Sequence, residues 1–149
     1  MSDLPDGGQA VRVVEAYADA WLAGDLETVL GLYHPDLTLV WPGTHRLAGE
    51  HRGLDAALTA LAELQALTER RPIEIHAITD ADGTIVLDVT ERWRDRESGS
   101  TDVRRALHYT VLDDRLHTCR IVEADESAVD RWMQRAAAAA ALERDNPEV

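Results

Sequence analysis

Three charged side chains fall on strand faces that are otherwise apolar or aromatic, and together they could perform acid–base chemistry. They are Glu91 among the odd-numbered residues of 84–95, Arg105 among those of 103–111, and Glu123 among those of 116–124. Alternate residues of a strand share a face and neighbouring strands lie about 4.8 Å apart, so these groups can touch if the registers match. Glu91 or Glu123 could then act as a general base, while Arg105 orients it or stabilises an anion.

The same pattern is also typical of an internal ion-pair network that takes no part in chemistry. A charge on a core face is costly unless it is paired, and a Glu–Arg–Glu arrangement would supply the pairing. Structural networks of this kind perturb pKa values as active sites do. Both interpretations therefore stay open at the level of the sequence.

The elements that must position these residues follow from the period of the apolar residues. Helical spacing predicts helices at about 9–23, 25–33 and 54–67, and another from about residue 125 onward. Alternation and β-forming composition predict strands at 37–41, 73–79, 84–95, 103–112 and 115–124. Helices followed by a run of strands indicate an α+β fold. We expect one domain at about 9–144, a flexible leader at 1–8 and a frayed tail at 145–149.

Composition excludes several classes of function. The formal net charge of -13 argues against nucleic acid and anionic membrane surfaces as partners. All 15 basic residues are arginine, so Schiff-base catalysis by a lysine is excluded. Cys119 is the single cysteine, which rules out an internal disulfide and thiolate-rich metal sites. The histidines are dispersed and the start of the chain does not resemble a signal peptide, so we expect a cytoplasmic protein without metal or cofactor.

The segment from Val13 to Gly53 carries a family resemblance. It opens with the pattern V-V-x-x-Y-x-x-A-x-x-A-G-D-L, and later contains Trp41-Pro42-Gly43 followed by L-A-G-E-H-R-G at 47–53. This order resembles the nuclear transport factor two-like superfamily, in particular its SnoaL-like and ketosteroid isomerase-like branches. The resemblance implies a cone-shaped fold, in which a curved antiparallel sheet wraps around N-terminal helices and a further helix follows at the C-terminus. It also implies an internal ligand pocket and a homodimer.

Compared position by position, the two branches fit unequally. The oxyanion-hole tyrosine of ketosteroid isomerases falls on Tyr17, but their general-base aspartate falls on Trp41 and their second oxyanion-hole acid near Leu107. An indole offers no usable base, so steroid isomerase activity is not expected. The SnoaL-like branch fits better, and Asp125 is similar in position to the aspartate that its polyketide cyclases use together with a histidine. No histidine of this chain is matched to that partner.

These observations lead to one main hypothesis. We expect a cofactor-independent acid–base enzyme for a small apolar molecule, of the cyclase, isomerase or epoxide-opening type. Limonene epoxide hydrolases use an Asp-Arg-Asp arrangement that is similar in charge pattern only. The expected catalytic residues are Glu91, Arg105, Glu123 and Tyr17, and the expected substrate contacts are Trp41, Tyr109, Trp93, Leu107, Cys119, Trp21, His45 and Leu87.

Two other readings of the same residues stay open. The aromatic side chains could serve core packing alone. The protein could be a binding or accessory module with this fold and no chemistry, or a structural homodimer whose charged cluster closes on itself and leaves no cavity.

Overall fold

The computed structural model describes residues 7–95 and 99–145. Four helices and six strands follow one another in the order α1 Gly7–Ala23, α2 Leu26–Gly31, β1 Tyr33–Trp41, β2 Gly49–Arg52, α3 Leu54–Leu67, β3 Glu69–Ala81, β4 Thr84–Arg94, β5 Ser100–Leu112, β6 Arg115–Glu123 and α4 Glu126–Asp145. The predicted α+β class with a C-terminal helix is confirmed. Most of the predicted leader and tail lies outside the described residues, and the predicted homodimer stays a prediction.

All six strands form one sheet in the order β2-β1-β6-β5-β4-β3. Every neighbouring pair is antiparallel, as expected, except β1 and β6, which run parallel and make the sheet mixed at that one pair. Helix α1 packs on β3 to β6, and α3 packs on β1, β2 and β3. The two helices therefore cover the inner face of the sheet, where the core lies.

The faces predicted for the two central strands are confirmed. In β4 the odd-numbered residues from Ile85 to Trp93 are buried, and in β5 the odd-numbered residues from Val103 to Val111 are buried. In β6 the buried positions change parity, because the β5–β6 register shifts between Thr110 and Val111. Leu116 and Cys119 are consequently both buried.

The start of the sheet differs from the sequence prediction in two places. Asp25 caps α2 as expected, its carboxylate accepting from the Thr28 N–H, but α2 ends at Gly31 and Tyr33 already belongs to β1. Pro35 is tolerated in that strand because the β1–β6 ladder shifts register between Tyr33 and Thr38. The short edge strand β2 was missed, since its sequence G-E-H-R has no apolar alternation.

Strand β3 begins at Glu69, four residues before the start predicted from the sequence. It is an edge strand that pairs only with β4, and its register shifts between Pro72 and Glu74 and again between Ile75 and Ala77. These bulges break the alternation that a sequence pattern relies on. The extra residues matter, because they bring Arg70 opposite Trp93 and thus onto the inner face.

Candidate functional site

A cavity lies between α1, α3 and the inner face of the sheet. Its volume is about 40 Å³, which is space for about three water molecules. Its wall is mostly apolar, and three of its lining residues, Trp21, Leu61 and Arg70, are half-buried. The lining consists of Tyr17, Trp21, Tyr33, Leu37, Leu39, Leu61, Leu64, Arg70, Glu91, Arg105, Leu107, Tyr109, Cys119 and Ile121.

The three charged residues predicted from the strand pattern meet at one end of this cavity. Arg105 lies directly opposite Glu123 in the β5–β6 ladder, and its Nε donates to Glu123 Oε1 at 2.9 Å while its Nη2 donates to Glu123 Oε2. Glu91 lies on the neighbouring strand β4, opposite Val103, and its Oε2 accepts a hydrogen bond from Arg105 Nη1 at 3.4 Å. The registers therefore place both carboxylates on one guanidinium.

A fourth charged residue completes the cluster. Arg70 Nη1 donates to Glu91 Oε1 at 3.1 Å, and its side chain is 15% exposed, whereas that of Glu91 is 1% exposed. Two arginines thus neutralise two glutamates. The sequence analysis missed Arg70, because the predicted strand began after it and the register shift between Pro72 and Glu74 breaks the alternation that leads back to it.

Two indole rings hold the same cluster in place. Trp41 Nε1 donates to Glu123 Oε2 at 2.9 Å, and Trp93 Nε1 donates to Glu91 Oε1 at 3.1 Å. The guanidinium carbon of Arg105 lies 5.2 Å from the Trp41 ring centre and 5.0 Å from that of Trp93. A cation between two aromatic faces is attracted by both, so these rings stabilise the charged form of Arg105 without lining the cavity.

The pKa shifts follow from these contacts. Burial would raise the pKa of Glu91, but the charges of Arg105 and Arg70 outweigh it and hold that pKa below its usual value. Burial would likewise lower the pKa of Arg105, yet Glu91 and Glu123 keep it above its usual value. Glu91 and Arg105 are therefore both ionised at neutral pH.

Three tyrosine hydroxyl groups occupy the other part of the cavity. The Tyr17 and Tyr33 oxygens are 2.9 Å apart, and the Tyr17 ring contacts the Tyr109 ring edge-on at 5.5 Å. Burial raises the pKa of all three phenols, so they remain protonated and can donate hydrogen bonds. Burial also raises the pKa of the Cys119 thiol to about 12, so this side chain is not a thiolate at neutral pH.

The expected substrate contacts divide into two groups. Tyr109, Leu107, Cys119 and Trp21 line the cavity, and so does Tyr33, which the sequence analysis had assigned to the helix before β1. The structure places the other four behind the cavity wall or apart from it: Trp41, Trp93, His45 and Leu87.

His45 and Asp125 have local structural contacts instead. The His45 ring stands edge-on to Trp41 with centres 4.2 Å apart, and its Nδ1 accepts the Leu47 N–H at 3.2 Å. Burial lowers the pKa of His45, which favours the neutral ring. Asp125 is exposed and its Oδ1 accepts the Ala128 N–H at 3.0 Å, so its carboxylate caps α4.

Within residues 7–95 and 99–145, no group of three or more histidine, cysteine, aspartate or glutamate side chains is arranged to hold a metal ion. No helix in that part of the chain is long and apolar enough to cross a membrane.

The fold is shared with many solved structures. Bal32a, from a soil-derived mobile gene cassette, is 19% identical with a TM-score of 0.76 over 87% of this chain and 99% of its own. An NTF2-like protein of Burkholderia xenovorans LB400 is 20% identical with a TM-score of 0.69, over 85% and 96% of the two chains. A Mesorhizobium loti protein described as a candidate SnoaL-like polyketide cyclase is 13% identical with a TM-score of 0.64, over 74% and 96%. At these identities the likeness shows the fold.

A search of curated proteins finds no match to this chain. The family comparison is positive, since the model of the SnoaL-like domain matches residues 14–123, from the second turn of α1 to the end of β6. That span contains the whole sheet and every residue of the charged cluster. The chain therefore belongs to the SnoaL-like domain family.

Proposed function

We propose that this protein is a cofactor-independent acid–base enzyme that acts on a small, largely apolar substrate by cyclisation, isomerisation or epoxide opening. One observation carries the proposal. Glu91 is an ionised carboxylate that is fully buried and yet lines an apolar cavity, beside the guanidinium of Arg105. A buried charge on the wall of a ligand cavity is a favoured position for a catalytic group.

The free acceptor positions of its carboxylate and its place in the cavity wall favour Glu91 over Glu123 as the base. Among the described residues, Glu91 Oε1 accepts from Arg70 and Trp93, whereas Oε2 accepts only from Arg105. A carboxylate has about four acceptor positions, so Oε2 keeps one for the proton of a substrate. Glu123 does not line the cavity. Its role in the proposal is to fix Arg105.

The remaining roles follow from which groups can donate. Glu91 Oε2 would take a proton from a carbon next to a carbonyl group, and the resulting enolate oxygen would accept hydrogen bonds from the Tyr17 hydroxyl and the Arg105 guanidinium. Donors that are already fixed in a dry site stabilise such a charge strongly. With an unsaturated ketone, the resulting dienolate would take the proton back from Glu91 at another carbon, which is an isomerisation. In a cyclisation, the enolate carbon would attack a carbonyl carbon of the same substrate, and the alkoxide formed would take the proton back from Glu91.

A second candidate function is non-catalytic binding in the same cavity. It is favoured by the closed charge balance of the cluster, in which Arg70 and Arg105 neutralise Glu91 and Glu123. Such a network lowers the basicity of Glu91, in agreement with its lowered pKa. A binding module would retain ligands and leave them unchanged.

Two probe reactions separate the candidates. The first is exchange of the acidic C–H protons of 2-indanone in deuterium oxide, followed by NMR, and the second is hydrolysis of styrene oxide. We expect the wild type to accelerate at least one of them, the variant Glu91→Gln to lose the acceleration, and Glu15→Gln, an exposed residue of α1, to keep it. Equal rates for the wild type and Glu91→Gln would contradict the proposal. Binding of either probe without turnover would favour the binding module.

A further inference from the structure

Arg70 has a hydrogen-bond donor without an acceptor. Its Nη1 is bound to Glu91, but its Nε is buried and contacts no acceptor among the described residues. Arg70 also lines the cavity. Buried N–H groups are nearly always hydrogen-bonded in native proteins, so an unmatched one in a cavity wall indicates the place where a ligand acceptor would sit.

The charge of that ligand is restricted by the cluster. Glu91 already pairs with Arg70 and Arg105, and Glu123 pairs with Arg105, so the two positive charges are matched by two negative ones. A carboxylate ligand would add an unmatched negative charge next to Glu91, in a chain whose formal net charge is -13. Burying a charge without a partner is costly. The site therefore favours a neutral acceptor.

The other polar groups at the cavity include hydrogen-bond donors, which suit a ligand that carries an acceptor oxygen. The hydroxyl groups of Tyr17, Tyr33 and Tyr109 stay protonated, and although one proton of the Tyr17–Tyr33 pair is used in their mutual hydrogen bond, the other hydroxyl of that pair can donate to a ligand. The remaining wall is apolar, from Leu37 and Leu39 on β1 to Leu61 and Leu64 on α3. A ligand that matches these groups has an apolar body and one oxygen acceptor, and a ligand the size of indane requires the half-buried Trp21 and Leu61 to move outward from the cavity of about 40 Å³.

We infer that Arg70 determines the specificity of the cavity by donating its Nε–H to a neutral oxygen of the ligand, such as that of a ketone or an ester, and that carboxylate ligands are rejected. The guanidinium is planar and rigid, and its Nη1 lies on the side of Cδ, away from the Nε–H. The ligand oxygen and the Glu91 carboxylate would therefore bind separate edges of the same guanidinium. This inference names the ligand class of the site in the proposed function, and as a statement about binding it also holds for a non-catalytic module.

The test uses ligands with one skeleton: indane, 2-indanone, indane-2-carboxylate and its methyl ester, with dissociation constants from NMR titration of the tryptophan indole signals. We expect the wild type to bind 2-indanone about tenfold more tightly than indane, as one hydrogen bond to a charged donor allows. The methyl ester, although larger, should bind more tightly than the carboxylate. Equal affinity for 2-indanone and indane, or tightest binding of the carboxylate, would overturn the inference without any variant.

A matched pair of variants assigns the preference to Arg70. Arg70→Lys keeps a positive charge beside Glu91 but lacks the Nε–H, so it should lose the ketone preference while indane affinity is unchanged. Arg71→Lys, at the exposed neighbouring position, should keep the preference. A preference that survives in Arg70→Lys would contradict the role of Arg70. Deuterium exchange of 2-indanone and hydrolysis of styrene oxide in the same samples separate the outcomes. Ketone preference without either reaction supports the inference and contradicts the proposed enzyme, whereas either reaction without the preference does the reverse.

Discussion

Arg105 lies directly opposite Glu123 across β5 and β6, and two of its nitrogens donate to the two oxygens of that carboxylate. Side-on pairing of this kind fixes both orientation and distance. The contact of Arg105 with Glu91 is a single, longer bond of 3.4 Å. Glu123 therefore fixes the position of Arg105. Glu91 binds Arg105 through one longer hydrogen bond and also lines the cavity.

This asymmetry predicts that the two glutamates contribute differently to stability and activity. Glu123→Gln removes the side-on partner of a buried cation, and we expect the free energy of unfolding to fall by about 3–5 kcal/mol. Urea unfolding measures it, with Glu15→Gln expected within about 0.5 kcal/mol of the wild type. A Glu123→Gln protein as stable as the wild type would show that this pair does not hold the fold.

The activity prediction concerns Glu91. If Glu91 is the base, Glu91→Gln should slow proton exchange of 2-indanone by about 10²–10⁴-fold, since that is what a positioned base contributes. Glu123→Gln should lower the rate less, once corrected for the folded fraction. The opposite ranking would move the base to Glu123.

The lowered pKa of Glu91 predicts how stability depends on pH. Arg105 and Arg70 depress this pKa in the folded protein below the ordinary value of 4.5, so the folded state releases the proton more readily than the unfolded chain. The resulting stabilisation is present above about pH 4.5 and is lost as the pH falls through the folded-state pKa. The stability difference between the wild type and Glu91→Gln should therefore be constant near neutral pH and shrink below pH 4.5. A stability difference between the two proteins that grows on acidification would contradict a lowered pKa of Glu91.

Tyr17 and Tyr33 share one hydrogen bond but have different proposed roles. Either Tyr→Phe substitution leaves one buried hydroxyl without that partner, and we expect a similar loss of about 1–3 kcal/mol from the free energy of unfolding. Only Tyr17→Phe should slow proton exchange of 2-indanone, by about 10²-fold, because Tyr17 is the proposed donor to the enolate. Equal rates in the two variants would remove Tyr17 from the mechanism.

Cys119 should be chemically silent in the folded protein. It is buried and its thiol has a pKa of about 12, so the reactive thiolate is scarce near pH 8. We expect no labelling by iodoacetamide in buffer and complete labelling in concentrated urea, with intact-mass measurement as the readout. Rapid labelling in buffer would show that the cavity opens widely to solvent.

The sequence predicted the faces of the central strands, because β4 and β5 alternate without interruption and put Glu91 and Arg105 on the buried side. It could not predict which residues meet, since register depends on bulges that leave no simple pattern. Arg70 was missed for this reason, as it lies beyond the bulges of β3. Tyr33 was missed because the apolar stripe of α2 runs without a break into β1.

The family resemblance predicted the fold and argued against steroid isomerase activity. It did not predict which other group could act as the base. The resemblance to ketosteroid isomerases placed their general base at Trp41, which was expected to contact substrate. In the structure its indole N–H binds Glu123, and its ring stacks on Arg105. An indole at position 41 indicated that this side chain could not act as an acid or a base. The partners of Trp41 depend on the parallel pairing of β1 with β6, which no local sequence pattern indicates.

That parallel pairing has a consequence for folding. The hydrogen bond from Trp41 to Glu123 joins residues that are 82 positions apart in the chain. Domains that are rich in contacts of such high sequence separation fold slowly. During synthesis, Glu91 would leave the ribosome before the strand that carries Glu123, and its cavity could close only after β6 has docked between β1 and β5. The site is thus assembled by the last strand of the sheet, and a chain interrupted before that strand would carry Glu91 without the guanidinium geometry around it.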